Sequence, residues 1–267
     1  MPRNTFSPPT APLDLNAVDP ADTGTLSKSK ATKKLDTLRG ELEELTTLLY
    51  ANRRRSLLIV LHGMDASGKD GTVRWLDAGI NPMGLTVQSY KAPNEEELAH
   101  DFLWRVHRAC PPRGLVGVFN RSHYEEVTTV RVHPEYLQRQ RLPDEIVGDP
   151  TIWERRYRQI REFERTLVEN GTIVIKFLLH ISPEEQMVRL DERIENPLKR
   201  WKHNPSDLEE RTLWNGYQRA FEAMIDATGT REAPWYVVPA DHKWYRNYVV
   251  GSVVVETLRK LEMRWPE

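Results

Sequence analysis

A glycine-bounded turn followed by a lysine comes directly after an apolar run in the first quarter of the chain. The run Leu57–Leu61 leads into Gly63, and Gly68 and Lys69 follow after four intervening residues. Gly, four residues, Gly, Lys and then Ser or Thr is the pattern of a loop whose backbone N–H groups surround a phosphate. The pattern predicts phosphate binding, with a bare glycine turn beside a surface lysine as the alternative. The residues that would form the cradle are Gly63, Met64, Ala66, Ser67, Gly68, Asp70, Gly71 and Thr72.

Two acids lie within this loop, and their presence needs a chemical reason. Asp65 stands in the middle of the loop, and Asp70 takes the place of the usual hydroxyl residue. A carboxylate repels a bound phosphate unless a cation such as Mg²⁺ lies between them or the acid serves the group being transferred. Asp65 therefore indicates function, whereas a favourable place in the first helical turn explains Asp70 equally well.

The residues after the apolar run Val116–Phe119 form a second candidate group. Ligands of open α/β sheets bind at the carboxyl ends of the strands, where phosphate-loop proteins commonly place an acid that holds Mg²⁺. Here Asn120 takes that position, Arg121 follows with a charge that can neutralise phosphate, and Glu125 comes one turn later. An asparagine cap followed by exposed charged residues is the alternative.

A basic stretch in the second half of the chain is the third candidate. Pro197 ends the preceding helix at about Asn196, and no acid occurs between Pro197 and His203. In nucleotide kinases such a segment closes over the phosphates and excludes water, although a charge run on its own usually indicates a solvated face. The sequence predicts a lid at about 193–207, with the cations Arg193, Lys199, Arg200 and Lys202.

Composition excludes several other classes of protein. The 267 residues include 38 basic and 39 acidic ones, so a chain-wide basic field for nucleic acid is absent. The single cysteine, Cys110, cannot build a disulfide framework or a zinc cluster within one chain. The N-terminus lacks the apolar core of a signal peptide, and no run approaches the roughly 20 apolar residues of a spanning helix. We expect a cytoplasmic protein with no membrane and no nucleic-acid partner.

The distribution of apolar residues predicts an α/β fold. Five short apolar runs alternate with helical stretches, which implies a five-stranded parallel sheet flanked by helices. The runs are 57–61, 86–90, 114–119, 172–179 and 235–238, and the helical stretches are roughly 73–79, 95–109, 150–170, 183–195, 207–227 and 244–263.

The residues before the first strand divide into two parts. A proline-rich leader, 1–30, is expected to be mobile or to lie along the surface. Leucines at three- and four-residue steps then predict an amphipathic helix over 32–52 that packs on the body or on another subunit. Because no second core is visible, 31–267 is expected to be a single domain.

The chain resembles the polyphosphate kinase 2 family from about Lys33 to Glu262. The resemblance rests on five motifs that occur in order, and it includes the two acids of the loop. It implies a three-layer, thymidylate-kinase-like P-loop kinase fold with a helical, basic lid. The motifs are Gly63–Thr72; Lys91-Ala92-Pro93 with Glu95–Glu97 and Phe102–Arg105; Gly114 to Glu125; Arg193 with Pro197–Lys202; and Trp214, Tyr217, Met224 and Pro234-Trp235.

The resemblance also implies an activity and a role for each matched residue. It implies reversible transfer of the terminal phosphate of inorganic polyphosphate to a nucleotide, with Mg²⁺ or, in its place, Mn²⁺. Asp65 would orient or deprotonate the accepting phosphate and help to hold the metal. Lys69 and Arg121 would neutralise the transferred group, and the lid cations would close over it. Arg74 and Lys91 would contribute to a basic groove for the polyphosphate.

One motif departs from the family pattern. Many members read Phe-Asp-Arg-Ser-Trp-Tyr-Asn after the third strand, whereas this chain has Asn120, His123 and Glu125 at the differing positions. With the metal-binding aspartate missing, the metal would rest on Asp65, water and Glu125, so Asn120 and Glu125 join the catalytic candidates. The pattern resembles the subgroup that acts on both mono- and diphosphates, and we expect AMP to give ADP and ADP to give ATP.

Two other functions compete with this expectation. An ordinary nucleotide kinase that uses ATP as donor is disfavoured because Asp70 replaces the hydroxyl residue. A non-catalytic, nucleotide-gated binding protein is disfavoured because the chain has a basic lid and lacks the Asn-Lys-x-Asp motif that reads guanine. The leucine-rich helix and the family resemblance favour a homodimer or homotetramer.

Overall fold

A five-stranded parallel sheet lies at the centre of the structure, a computed structural model that describes residues 7–9, 12–202 and 204–267. The strand order is β2-β3-β1-β4-β5. All four neighbouring pairs are parallel, so the predicted sheet is confirmed. The strands are β1 Ser56–His62, β2 Leu85–Ser89, β3 Val116–Asn120, β4 Thr172–His180 and β5 Trp235–Pro239.

Helices connect the strands and form the outer layers. The described residues also contain four 3₁₀ turns, at Leu15–Ala17, Pro82–Gly84, His123–Val127 and Arg200–Lys202. The α-helices are α1 Lys28–Asn52, α2 Lys69–Asp77, α3 Glu95–Leu98, α4 Trp104–Ala109, α5 Thr129–Val132, α6 Glu135–Gln138, α7 Asp144–Val147, α8 Ile152–Glu169, α9 Pro183–Glu195, α10 Ser206–Thr212, α11 Trp214–Thr228 and α12 Lys243–Arg259.

The sheet is covered on both faces, which gives three layers. On one face, α1, α2 and α12 pack with Leu57, Ile59 and Leu61 of β1. On the other face, α8 and α11 pack with Leu58 and Val60. Every residue of β1 is buried, which explains why its sequence is continuously apolar rather than alternating. The leucine-rich helix α1 lies against α12 of the same chain.

Two stretches that periodicity predicts as single helices are broken, and those predictions were wrong. The stretch 95–109 forms α3 and α4, because the side chain of Asp101 accepts the N–H of Leu103 at 2.9 Å and so competes with helical bonding. The stretch 207–227 forms α10 and α11, which meet at Leu213. The N–H of Leu213 bonds to the carbonyl oxygen of Glu210 at 3.1 Å, a tighter turn than the α-helical one.

The described part of the leader lies along the body before α1 begins at Lys28. The side chain of Leu15 is buried, and its N–H donates to Glu222 of α11 at 2.9 Å. The carbonyl oxygen of Val18 lies 3.2 Å from Nε2 of His180, at the end of β4. Leader residues 1–6, 10 and 11 lie outside the described residues. None of the described helices combines the length and apolarity that a membrane span requires.

Candidate active site

The turn between β1 and α2, Gly63–Asp70, has the shape of a phosphate loop, and we use that name for it. Gly63 and Gly68 have φ angles of 136° and 103°, which only glycine adopts without strain. A Cβ on Gly63 would lie 2.6 Å from the carbonyl oxygen of Leu179. Because α2 begins at Lys69, its positive N-terminal end and unpaired N–H groups are available to an anion in the loop.

Lys69 is buried at the start of α2 and points back into the phosphate loop. Its Nζ donates to the carbonyl oxygens of Gly63 at 2.6 Å and Met64 at 3.0 Å. Burial, with a contribution from the nearby Arg121, lowers the pKa of Lys69 to about 8. An anion in the loop would stabilise this partly desolvated charge.

Arg121 joins the phosphate loop to the end of β3. Its guanidinium pairs with Asp65 and lies 3.4 Å from the carboxylate of Glu125. The backbone of Arg121 has a φ of 64°, a strained conformation for a non-glycine residue. Burial opposes the ionisation of Glu125, but Arg121 and smaller contributions from neighbouring groups together outweigh it, and the pKa of Glu125 falls to about 2. The structure therefore brings Asp65, Lys69, Arg121 and Glu125 together.

His62, the last residue of β1, lies next to Glu125. It was not identified as a site residue from the sequence. Its Nδ1 is 3.6 Å from the Glu125 carboxylate, and its Nε2 is 3.0 Å from the hydroxyl of Thr128. Burial lowers the pKa of His62 to about 4, so the ring is neutral at pH 7. The signal that could have indicated it is a polar residue that ends an apolar strand directly before Gly63.

Asp70 connects the phosphate loop, the third strand and the lid. Asn120 donates its Nδ2 to one carboxylate oxygen of Asp70 at 2.9 Å, and Lys202 pairs with the other oxygen. Burial would raise the pKa of Asp70, but the hydrogen bonds from Lys202 and Asn120 lower it to about 2. The carboxylate at the usual hydroxyl position is thus held by two of the predicted site residues.

The other lid cations contact residues of the lid itself or of the neighbouring helix α9. Arg193 pairs with Asp207 at 2.9 Å, and Lys199 pairs with Glu192 at 2.8 Å. Arg200 is exposed, and its Nε donates to a backbone carbonyl of α9. Lys202 is the lid cation that the described contacts bring to the phosphate loop.

A cleft that encloses about 650 Å³ of space, partly open to solvent, lies beside the phosphate loop. The residues that line it include Asp65, Arg121 and Glu125 and the aromatic residues Tyr217 and Phe221. Tyr217 is buried in the same core cluster as Phe221, and its hydroxyl donates to Glu210 at the cleft, at 2.7 Å.

The two residues predicted to line a polyphosphate groove are exposed on the surface, outside the cleft. Arg74 is exposed on α2, and Lys91 is exposed after β2. The Nε of Arg74 is 3.4 Å from the carbonyl oxygen of Asp70, so its charge stays near the phosphate loop. Neither residue belongs to the walls of the cleft described above.

Nearly the whole chain is similar to proteins of known family. The family model "Polyphosphate kinase 2 (PPK2)" matches residues 25–265. A Meiothermus ruber protein named AMP/ADP-polyphosphate phosphotransferase is 48% identical over 97% of this chain and 93% of its own length. A Rhodopseudomonas palustris protein named ADP-polyphosphate phosphotransferase is 46% identical over 90% of this chain and 83% of its own length.

The fold also has a counterpart among crystal structures. Polyphosphate Kinase 2 from Arthrobacter aurescens TC1 superposes with a TM-score of 0.90 at 37% identity, covering 97% of this chain and 90% of that one. These matches agree with the P-loop kinase fold and with the ordered motifs from which the sequence predicted the family. The chain therefore belongs to the polyphosphate kinase 2 family.

Proposed function

We propose that this protein transfers the terminal phosphate of inorganic polyphosphate to AMP and ADP, giving ADP and ATP, in a reversible reaction. The observation that carries the proposal is the meeting of Lys69, the Asp65–Arg121 pair and the Lys202–Asp70 pair at one edge of the sheet. The names of the Meiothermus ruber and Rhodopseudomonas palustris relatives support this donor and these acceptors.

In this proposal the residues act by positioning and by neutralising charge, which supply most of the catalysis in phosphoryl transfer. Lys69 and Arg121 neutralise the phosphate that moves, and Asp65 orients or deprotonates the accepting phosphate. The acceptor nucleotide occupies the cleft, whose aromatic walls at Tyr217 and Phe221 suit a base. The lid, 193–207, closes over the phosphates and excludes water.

Mg²⁺, or Mn²⁺ in its place, is the metal we propose for this reaction. Among the described residues, no group of three or more His, Cys, Asp or Glu could hold a metal. Mg²⁺ usually takes one or two carboxylates and completes its shell with water and phosphate oxygens, so Asp65 at the cleft wall fits. Glu125 fits less well, because Arg121 and Thr129 hold its two oxygens. The metal would neutralise charge on the transferring phosphate.

We also propose that residues 31–267 act as one domain, in a cytoplasmic homodimer or homotetramer. The single cysteine is compatible with a reducing compartment. Light scattering of the purified protein measures the assembly, and a monomer at micromolar concentration would contradict this part of the proposal.

One assay tests the activity. Purified protein is mixed with Mg²⁺, polyphosphate and either AMP or ADP, and the nucleotides are separated by chromatography. We expect ADP from AMP and ATP from ADP, with loss of both products when polyphosphate is omitted. Turnover with ATP but not with polyphosphate as donor would indicate an ordinary nucleotide kinase. Binding without turnover of either donor would indicate a nucleotide-gated binding protein.

A further inference from the structure

A buried arginine without a carboxylate partner lies behind the phosphate loop. Arg246 of α12 is only 3% exposed. Within the described residues, its guanidinium donates only to Oδ1 of the adjacent Asn247, from Nε at 3.2 Å and from Nη2 at 3.0 Å. By contrast, the buried Arg156 lies 3.0 Å from the carboxylate of Glu126. A buried charge that lacks a counter-ion is costly to the folded state.

The guanidinium of Arg246 lies directly against the phosphate loop. A Cβ on Gly68 would lie 1.8 Å from its Nη1, and a Cβ on Gly71 would lie 3.0 Å from its Nη2. Glycine at both positions therefore allows this close approach to the backbone. Because the N-terminus of α2 already carries a positive partial charge, Arg246 adds charge of the same sign.

A second guanidinium lies on the same side of the phosphate loop. The same Cβ on Gly68 would also lie 3.6 Å from Nη1 of Arg189. Arg189 donates to the carbonyl oxygens of Ala66 at 2.9 Å and Ser67 at 3.2 Å. In a trans peptide the N–H points away from the C=O, so the N–H of Gly68 faces the opposite side, into the loop.

The two arginines therefore lie on the outer side of the phosphate loop, opposite the side that the N–H of Gly68 faces. Arg189 is paired with Glu185 at 2.8 Å, which leaves Arg246 as the guanidinium without a carboxylate. Burial, with Arg189 contributing, lowers the pKa of Arg246 to about 9. The missing negative charge belongs on the inner side of the loop, where the backbone N–H groups converge.

We propose that Arg246 is a positioning residue whose buried charge is compensated by the phosphate chain that the loop binds. It acts across the backbone of Gly68 and Gly71, through a region of low dielectric in which attraction is strong, and does not touch the anion. Arg246 thus destabilises the free protein and stabilises the phosphate-bound protein. The inference rests on the proposed function, because it requires a phosphate chain in the loop.

Thermal unfolding and a titration with inorganic tripolyphosphate test this inference on the full-length protein. In Arg246→Met we expect a higher Tm without the anion and a Kd for tripolyphosphate at least about tenfold weaker, about 1.4 kcal/mol. A purely structural arginine would give the opposite pattern, a lower Tm with an unchanged Kd. The second pattern would overturn the inference.

A control on the same helix removes the same charge. Arg259 of α12 is 57% exposed and pairs with Glu41, and it lies 13 residues, about 20 Å, further along the helix. We expect Arg259→Met to leave the Kd for tripolyphosphate unchanged, because solvent screens its charge. If Arg259→Met loses as much affinity for tripolyphosphate as Arg246→Met, the protein's net charge explains the loss, and the inference is overturned.

Three further outcomes decide between this inference and the proposed function. If Arg246→Met does not fold, then Arg246 does not destabilise the free protein, and that part of the inference is wrong. The Kd for tripolyphosphate is then measured with Arg246→Gln instead. Unchanged affinity in a folded variant overturns the role of Arg246 alone. No binding of tripolyphosphate by the wild-type protein overturns both the role of Arg246 and the proposed function.

Discussion

At the scale of single residues, the acids of the phosphate loop are each offset by a cation from another element. Asp65 is paired with Arg121 from the end of β3, and Asp70 is paired with Lys202 from the lid. The carboxylates therefore do not face a bound phosphate as bare charges. This arrangement explains how a phosphate loop tolerates acids at positions where neutral residues are usual.

Replacement of Asp65 tests whether its carboxylate takes part in the reaction. We expect Asp65→Asn to lower kcat by about 10²–10⁴-fold, because the amide cannot accept a proton or hold the metal as a carboxylate does. The far-ultraviolet circular dichroism and Tm should stay near the wild-type values. Asp77→Asn is the matched control, since Asp77 is exposed at the far end of α2. Near-normal turnover in Asp65→Asn would remove this residue from the mechanism.

Asn120 tests the choice between AMP and ADP. Asn120→Asp places a second carboxylate beside Asp70, removes the 2.9 Å hydrogen bond and raises the pKa of Asp70 by repulsion. We expect the ratio of kcat/KM for AMP to that for ADP to change by at least about fivefold, about 1 kcal/mol. Asn120→Ala removes the same hydrogen bond without adding charge, and it separates the two effects. An unchanged ratio would make position 120 irrelevant to the acceptor.

At the scale of elements, the strands were predictable and the helix breaks were not. The inner strands β1, β3 and β4 are mostly apolar because both of their faces are buried, and that pattern is visible in the sequence. The break at Asp101 depends on one side chain bonding to a nearby N–H, and periodicity does not show such local competition.

The same distinction applies to the candidate site. The phosphate loop, Arg121 and the basic stretch 193–207 were recognisable because each lies in a contiguous motif. Arg189 and Arg246 lie over 100 residues beyond the loop in sequence, and each follows an ordinary helical pattern. Their contact with the loop depends on how α9 and α12 pack, which one sequence does not give.

Glycine also sets how closely α2 and α12 pack. A Cβ on Gly251 of α12 would lie 2.3 Å from the ring of Trp75 in α2. We expect Gly251→Ala to lower the free energy of unfolding by about 1–3 kcal/mol through overpacking, as measured by urea denaturation.

A second helical glycine serves as the control for that substitution. Gly40 of α1 is exposed and has no neighbouring atom within 4 Å of its added Cβ. Gly40→Ala should therefore raise the free energy of unfolding by about 0.5–1 kcal/mol through helix propensity. Stabilisation by both alanines would contradict a close contact between α2 and α12.

At the scale of the whole molecule, a buried ion pair joins the sheet to one helical layer. Lys176 of β4 pairs with Glu164 of α8 and donates to the hydroxyl of Tyr124 at 2.9 Å and to the carbonyl oxygen of Thr228 at 3.0 Å. Tyr124 in turn donates to Glu164 at 2.7 Å. The turn after β3, which carries Arg121, is thereby tied to β4, α8 and α11.

Loss of one partner should be costly, because it leaves the other charge buried and uncompensated. We expect Glu164→Gln to lower the free energy of unfolding by about 3–5 kcal/mol at pH 7, as measured by urea denaturation. Glu162→Gln on the same helix is the control, since Glu162 forms an exposed pair with Arg158 at 3.8 Å. That substitution should cost at most about 1 kcal/mol.

The pH dependence of this variant identifies the buried lysine as the source of the loss. Burial already lowers the pKa of Lys176 in the wild-type protein, and removal of the Glu164 carboxylate lowers it further. Between that folded-state pKa and the ordinary lysine value of about 10.4, the unfolded chain binds more protons, so stability rises with pH. Glu164→Gln should therefore regain more stability than the wild-type protein between pH 7 and pH 9. A loss that is equal at both pH values would trace the cost to packing around Tyr124 rather than to the uncompensated charge.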